Sequence, residues 1–170
     1  MPDFRLTSRC ECGANRLAAL RPPILRFFCH CLVCQQVYQK PYADVSMFWA
    51  RDVDCAPDAP IRFKRYRSPP AVRRGSCVHC HVPVLGLLSP LPGARLAFLP
   101  SRHFDESDAL PSAAAHIFYH RRVHASRDGL AKYSGYWPSQ WYLMRAIARN
   151  LSERLSASQN LLSRKRSLIL

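Results

Sequence analysis

Only 6 glycines occur in 170 residues, and no apolar run approaches the roughly 18 to 20 residues that a membrane span requires. The first ten residues, MPDFRLTSRC, have no apolar stretch behind a basic start, so nothing there reads as a secretion signal. These absences predict a cytoplasmic chain with no membrane span. Acidic residues are also scarce, 11 against 25 Lys and Arg, for a formal charge of +14. That excess makes a nucleic-acid or anionic-surface partner a candidate. In the sequence, however, it is dispersed over RFKRYR (62–67), Arg73-Arg74, Arg121-Arg122 and RKR (164–166), as on an ordinary solvated surface. The 14 prolines exclude long uninterrupted helices over most of the chain, because proline fixes φ and removes a backbone donor.

Cysteine is abundant instead. There are eight: Cys10, Cys12, Cys29, Cys31, Cys34, Cys55, Cys77 and Cys80. Seven are clustered, and in a reducing compartment clustered thiols point to metal binding or catalysis before disulfides. A Cys-x-x-Cys turn suits zinc because it brings two sulfurs to one tetrahedral ion. Cys77 and Cys80, in CVHC, form one such half site. Cys10 and Cys12, in CEC, can supply the other half, since residues two apart on a strand share a face and Gly13 behind them permits a tight turn. The four together predict a closed, structural tetrathiolate. Cys29, Cys31 and Cys34, in FCHCLVC, leave three ligands from one segment, the usual arrangement of a catalytic zinc with an open fourth position. Zn²⁺ on three thiolates has net charge −1, a weak Lewis acid better matched to taking up a fourth thiolate than to activating water. The alternative is a fourth protein ligand from His30, His79, His81 or Cys55. Two zinc ions on seven thiolates would bring the net charge to about +11.

Between residues 4 and 100 the chain reads as short strands separated by turns: FRLTSRC, NRLAALR, ILRFFCH, DVSMFWA, IRFKRYR and ARLAFLP. This predicts a mainly β domain, sandwich or barrel-like, with Ile61 and Phe63 on one face and Arg62 and Lys64 toward water. A helical turn is expected after Cys34, ended by Pro41, and a late strand around His116. His30 is expected to pack or hydrogen-bond, His79 and His81 to flank the metal site, and His103, His120 and His124 to be exposed. Cys55 reads as a loop residue. From Ser139 to about Leu162 the chain has neither proline nor glycine, and Leu143, Ile147, Leu151 and Leu155 recur every four residues. This predicts a helix N-capped by Ser139, packed on the domain or pairing two copies as a homodimer, with SRKRSLIL (163–170) as a mobile basic tail.

The order CECG (10–13), CHCLVCQ (29–35) and CVHC (77–80), followed by HIFYHRRVHASRDGLAKYSGY (116–136), resembles the glutathione-dependent formaldehyde-activating enzyme (GFA) family. The resemblance covers residues 4–137, with 138–170 as a helical extension outside it. It implies a β-tent of short antiparallel strands. It also implies a structural zinc on Cys10, Cys12, Cys77 and Cys80, and a catalytic zinc on Cys29, Cys31 and Cys34. The implied activity is carbon–sulfur lyase chemistry on S-hydroxymethylglutathione, formed from glutathione and formaldehyde, or on a related small thiol–aldehyde adduct. Two departures stand out. His81 occupies the place of the glycine that usually follows the CxxC pair, and histidine tolerates the left-handed turn better than most residues. QQVYQKPYA (35–43) lacks the glycine-containing turn that usually follows the third cysteine. A centromere-associated, chromatin-linked relative is similar to the same family, so a non-enzymatic binding module for nucleic acid or protein is the rival expectation.

Overall fold

The computed structural model describes residues 4–68, 71–91, 93–106 and 109–167. The protein is mostly β. Its strands are β1 (Leu6–Arg9), β2 (Arg16–Ala19), β3 (Leu25–Cys29), β4 (Ala43–Trp49), β5 (Val53–Cys55) and β6 (Ile61–Arg65), then β7 (Arg73–Cys77), β8 (Pro83–Leu91), β9 (Ala94–Pro100), β10 (Ala115–Ile117) and β11 (Ala131–Tyr133). Helix α1 spans Leu32–Tyr38 and α2 spans Tyr136–Ser167. A three-stranded sheet runs β1-β2-β5, and an eight-stranded sheet runs β11-β10-β3-β4-β9-β8-β7-β6. Pairing is antiparallel except where β10 lies parallel to both β3 and β11. Antiparallel strands can follow one another through tight turns, whereas β10 reaches β3 only after a long excursion of chain.

The large sheet buries both faces. Along β4, Val45, Met47 and Trp49 point to one side and Phe48 to the other. Along β9, Leu96 and Phe98 join the first set, and Ala97 and Leu99 the second. This is the period of two expected of a strand. The small sheet covers one face with Leu6, Leu17 and Ala19, and Cys10 and Cys77 lie in that layer. The opposite face carries Cys29, Cys34 and Tyr38, with Tyr142, Leu143 and Ile147 of α2 packed against it. The two sulfur groups therefore belong to different cores on opposite sides of one sheet. Gly75 on β7 is required by close packing. A Cβ there would stand 2.5 Å from Ile61 Cγ2 and 2.8 Å from Phe63 Cε1, which share one face of β6 as expected, although Phe63 is exposed there.

Several expectations are corrected. The helix near Cys34 begins earlier, at Leu32, because Cys31 is its N-cap: the Cys31 sulfur accepts from the Cys34 N–H at 3.4 Å. It ends at Gln39, which adopts a left-handed conformation (φ 49°), before Pro41 is reached. Cys55 is not in a loop, since it closes β5 opposite Leu17. His103 is buried rather than exposed: a single 3₁₀ turn over Ser101–His103 faces Ser101 and His103 inward and leaves Arg102 outside. Helix α2 starts at Tyr136, so Ser139 lies within its first turn. There its hydroxyl accepts from the Phe118 N–H (2.8 Å) and donates to the Gly135 carbonyl (2.7 Å). The helix also continues through Ser167, into the segment expected as a mobile tail, and residues 168–170 lie outside the described residues.

The leucine stripe divides. Leu143 and Ile147 pack on the sheet, whereas Leu151 and Leu155 are 41% and 58% exposed. Docking of α2 is completed by polar contacts. Arg154 Nη2 meets Asp52 Oδ2 at 2.6 Å, and Trp49 Nε1–H donates to Asn150 Oδ1 at 2.9 Å. A different set, Trp137, Trp141, Met144, Ala148, Leu151 and Leu155, faces solvent with alternating spacings of four and three residues. Among the described residues, no helix is long and apolar enough to cross a membrane.

Candidate metal centres

Cys10, Cys12, Cys77 and Cys80 converge, with all four sulfurs within 4.8 Å of one another. Cys10 to Cys12 is 3.5 Å, Cys12 to Cys77 is 3.6 Å and Cys10 to Cys77 is 3.8 Å. Four sulfurs tetrahedrally placed about 2.3 Å from a zinc ion would be about 3.8 Å apart, so the donor set fits that ion. Both turns are built as their residues suggest. Gly13 takes φ 75° and donates to the Cys10 carbonyl at 2.9 Å, while His81 takes φ 61° and donates to the Cys77 carbonyl at 3.1 Å. Backbone N–H groups point at the sulfurs, from Asn15 to Cys10 (3.2 Å) and from His79 to Cys77 (3.4 Å). Against burial, the N–H groups of Cys80 and His79 pull the Cys77 thiol down to about 6. These donors stabilise thiolate, the form a metal takes.

Cys29, Cys31 and Cys34 form the second group, with sulfurs also within 4.8 Å of one another. Cys29 ends β3, Cys31 caps α1 and Cys34 lies in its first turn, so a strand end and a helix start turn three sulfurs inward. No other cysteine, histidine or carboxylate joins this group among the described residues. His30 is turned away from it. Its Nε2 lies 2.8 Å from His116 Nδ1, and His116 Nε2 lies 2.6 Å from Asp128 Oδ2. An ionised Asp128 accepts from His116 Nε2–H, which makes His116 Nδ1 an acceptor for His30 Nε2–H. Burial, and then the neighbouring His116 and Arg122, hold His30 down to about 4, so the ring stays neutral. Gln35 fixes the same loop by donating to the carbonyls of His30 and Arg121, both at 2.7 Å.

Arg74 completes the site. Its Nη2 lies 3.4 Å from the Cys34 sulfur. The Cys31 thiol is pulled far down, to about 2, by hydrogen bonds from Cys29 and Cys34, then by the Cys34 N–H and the Arg74 charge. The Cys29 thiol is pushed up, first by Cys31 and Cys34 and then by burial. These contacts favour the thiolate form at Cys31. From the sequence, Arg73-Arg74 reads as surface charge. On β7 the two side chains point to opposite faces, Arg73 onto the Phe63 ring and Arg74 into the site. The alternation of a β7 strand was the one signal available, and that strand was not expected. Pairing of β6 with β7 also merges RFKRYR and Arg73-Arg74 into a single hairpin.

A mainly β protein bearing one four-thiol and one three-thiol group defines a class of two-centre thiolate proteins. The family model described as glutathione-dependent formaldehyde-activating enzyme matches residues 5–121, and the chain belongs to that family. None of the curated proteins matches it. Among solved structures, a Rhodobacter sphaeroides protein is similar at 12% identity, covering 75% of this chain and 99% of that one, with a TM-score of 0.46.

Proposed function

We propose that the protein is a zinc-dependent carbon–sulfur lyase that joins a thiol to an aldehyde and reverses that addition. In this reading Cys29, Cys31 and Cys34 hold the catalytic zinc, and Cys10, Cys12, Cys77 and Cys80 the structural one. The carrying observation is the three-thiol group that no fourth protein ligand joins among the described residues, lying beside a half-buried guanidinium. Family membership supports glutathione and formaldehyde as the reactants to test first. When bound there, zinc supplies a cationic centre that favours the ionised form of a substrate thiol.

The chain's own residues do the rest. Cys29, Cys31 and Cys34 present their sulfurs from one side only, leaving the other for the substrate. Arg74 offsets the charge that accumulates as a fourth thiolate arrives, while Gln35 and the Asp128–His116–His30 chain hold the ligand loop in place. In the net reaction the thiol sulfur bonds to the carbonyl carbon, the C=O π pair moves to oxygen, and the thiol's proton ends on that oxygen. The test is the rate of S-hydroxymethylglutathione formation by zinc-replete protein; a rate equal to the uncatalysed one would remove the reading.

Arg74→Met should slow this reaction roughly 10- to 100-fold, the effect of losing one hydrogen bond to a charged group, with Arg74→Lys recovering part of it. Steady-state rates at fixed zinc content check this, and a Met variant at wild-type rate would remove Arg74 from the mechanism.

Pairing of two copies is proposed along the exposed seam of α2. A 4-3-4-3-4 spacing is the narrow two-per-heptad stripe of a helix that packs on another helix, narrower than the face of a membrane-surface helix. The full chain should therefore run as a dimer in light scattering, and Trp141→Glu as a monomer. Equal masses for the two would refute the pairing.

A further inference from the structure

A cavity of about 290 Å³ opens beside the three-cysteine group. Cys29, Cys31 and Cys34 line one part of it. Its apolar walls come from two sides: Phe27, Val45, Leu88 and Phe98 from the large sheet, and Leu143 from α2. Polar side chains on its lining are few. Arg74 sits at the cysteines, Gln140 and Tyr136 come from α2, and Tyr66 and the exposed Arg67 follow β6. Leu143 and Gln140 lie beyond the residues matched by the family model, so the helical extension supplies part of this wall.

Formaldehyde has two heavy atoms, while a cavity of this size holds roughly ten water-sized groups. Glutathione is polar, with two carboxylates and an ammonium group, suited to the rim, where Arg67 adjoins the cations of the β6–β7 hairpin, and unsuited to apolar walls. The apolar space is therefore unclaimed by either reactant of the family's name. We infer that the aldehyde partner carries an apolar chain of roughly four to eight carbons, seated between the large sheet and α2, with its carbonyl carbon at the cysteine group. The inference rests on the carbon–sulfur reading proposed above. The product is the hemithioacetal: one C–S bond forms, the C=O π bond opens, and the thiol's proton ends on oxygen, with no change of oxidation state.

The experiment separates the chain's seat from the chemistry. Linear 1-alkanols from butanol to octanol, which cannot add a thiol, are titrated calorimetrically into the zinc-replete full-length protein. Affinity should rise about fourfold per added methylene until the cavity is filled. Gln140→Trp, which occupies the cavity from a half-exposed helix position, and Leu143→Arg, which charges its wall, should each flatten that rise. Metal content and melting temperature show whether each variant is folded. In parallel, glutathione is paired with formaldehyde, butanal, hexanal and octanal, and kcat/KM should climb along the series. A flat alkanol series together with turnover fastest for formaldehyde would overturn the apolar chain and leave the carbon–sulfur reading standing. A climbing alkanol series with no acceleration of any thiol–aldehyde pair would overturn that reading and the inference with it.

Discussion

Cys77→Ser is expected to lose one of two zinc equivalents and to lower the melting temperature by about 10 °C or more. The reason is topological. Cys10 and Cys12 stand at the end of β1, Cys77 ends β7, and the sulfurs meet across 65 to 67 residues of chain. This contact pins the β1–β2 turn directly to the β7–β8 turn. Structural zinc sites contribute apparent free energies of roughly 10 to 16 kcal/mol, as large as the whole stability of a typical domain. Losing even 3 to 5 kcal/mol of that moves the melting point by about 10 °C in a chain of this size. Cys77 is 1% exposed, so the serine that replaces it has no route to solvent and leaves a buried hydroxyl among thiolates. Metal analysis and a thermal melt decide the matter. Cys55→Ser, changing a cysteine outside both groups, should leave both readouts unaltered. A Cys77 variant that melts with the wild type would show that the four-thiol group does not hold the fold together.

The second large effect is expected from Cys31→Ser, and it is of the opposite kind. Adduct formation should fall about 1000-fold or more, while the melting temperature stays within a few degrees of wild type. That loss corresponds to about 4 kcal/mol of transition-state stabilisation. The fold survives because Cys31 has two separable jobs. As the N-cap of α1 its sulfur accepts from the Cys34 N–H, and serine is among the best residues for that position. As a proposed metal ligand it is held toward the thiolate form by its neighbours, and serine cannot replace a thiolate there. One zinc equivalent should remain, on the four-thiol group. Retained activity would overturn the assignment of the three-cysteine group, and a collapsed melting temperature would show it to be structural. The two variants together ask whether the metals divide labour as their surroundings suggest.

Much of this was readable before any fold was known. The cysteine pairs and the triad were legible because their information is local. A CxC on a strand end, a CxxC turn and a residue able to take positive φ after it fix where each pair of sulfurs points, whatever lies around them. Gly13 and His81 fill those positions in the structure. The strands with β-branched or aromatic residues were legible for the same reason. Strands β5, β7, β8 and β11 were not. Pro83, Gly86 and Pro90 sit within β8, residues that argue against a strand until neighbouring strands supply the pairing. β7 and β8 pair with their sequence neighbours, whereas β5 pairs with the distant β2, a partner of which propensity carries no record.

The sequence by itself determined the Cys10–Cys12 and Cys77–Cys80 pairs and the Cys29–Cys31–Cys34 triad, because each rests on turn geometry within a few residues. The meeting of the two pairs in one four-thiol group was decided by the fold. Only the tertiary structure decided what surrounds them. It placed the groups in separate layers of one sheet, turned His30 to His116 and away from the metal site, and brought Arg74 to Cys34. It also divided the α2 apolar residues between a wall of the cavity and an open seam. Each of these depends on which face of a strand or helix meets a distant partner, a choice made by packing the whole chain at once.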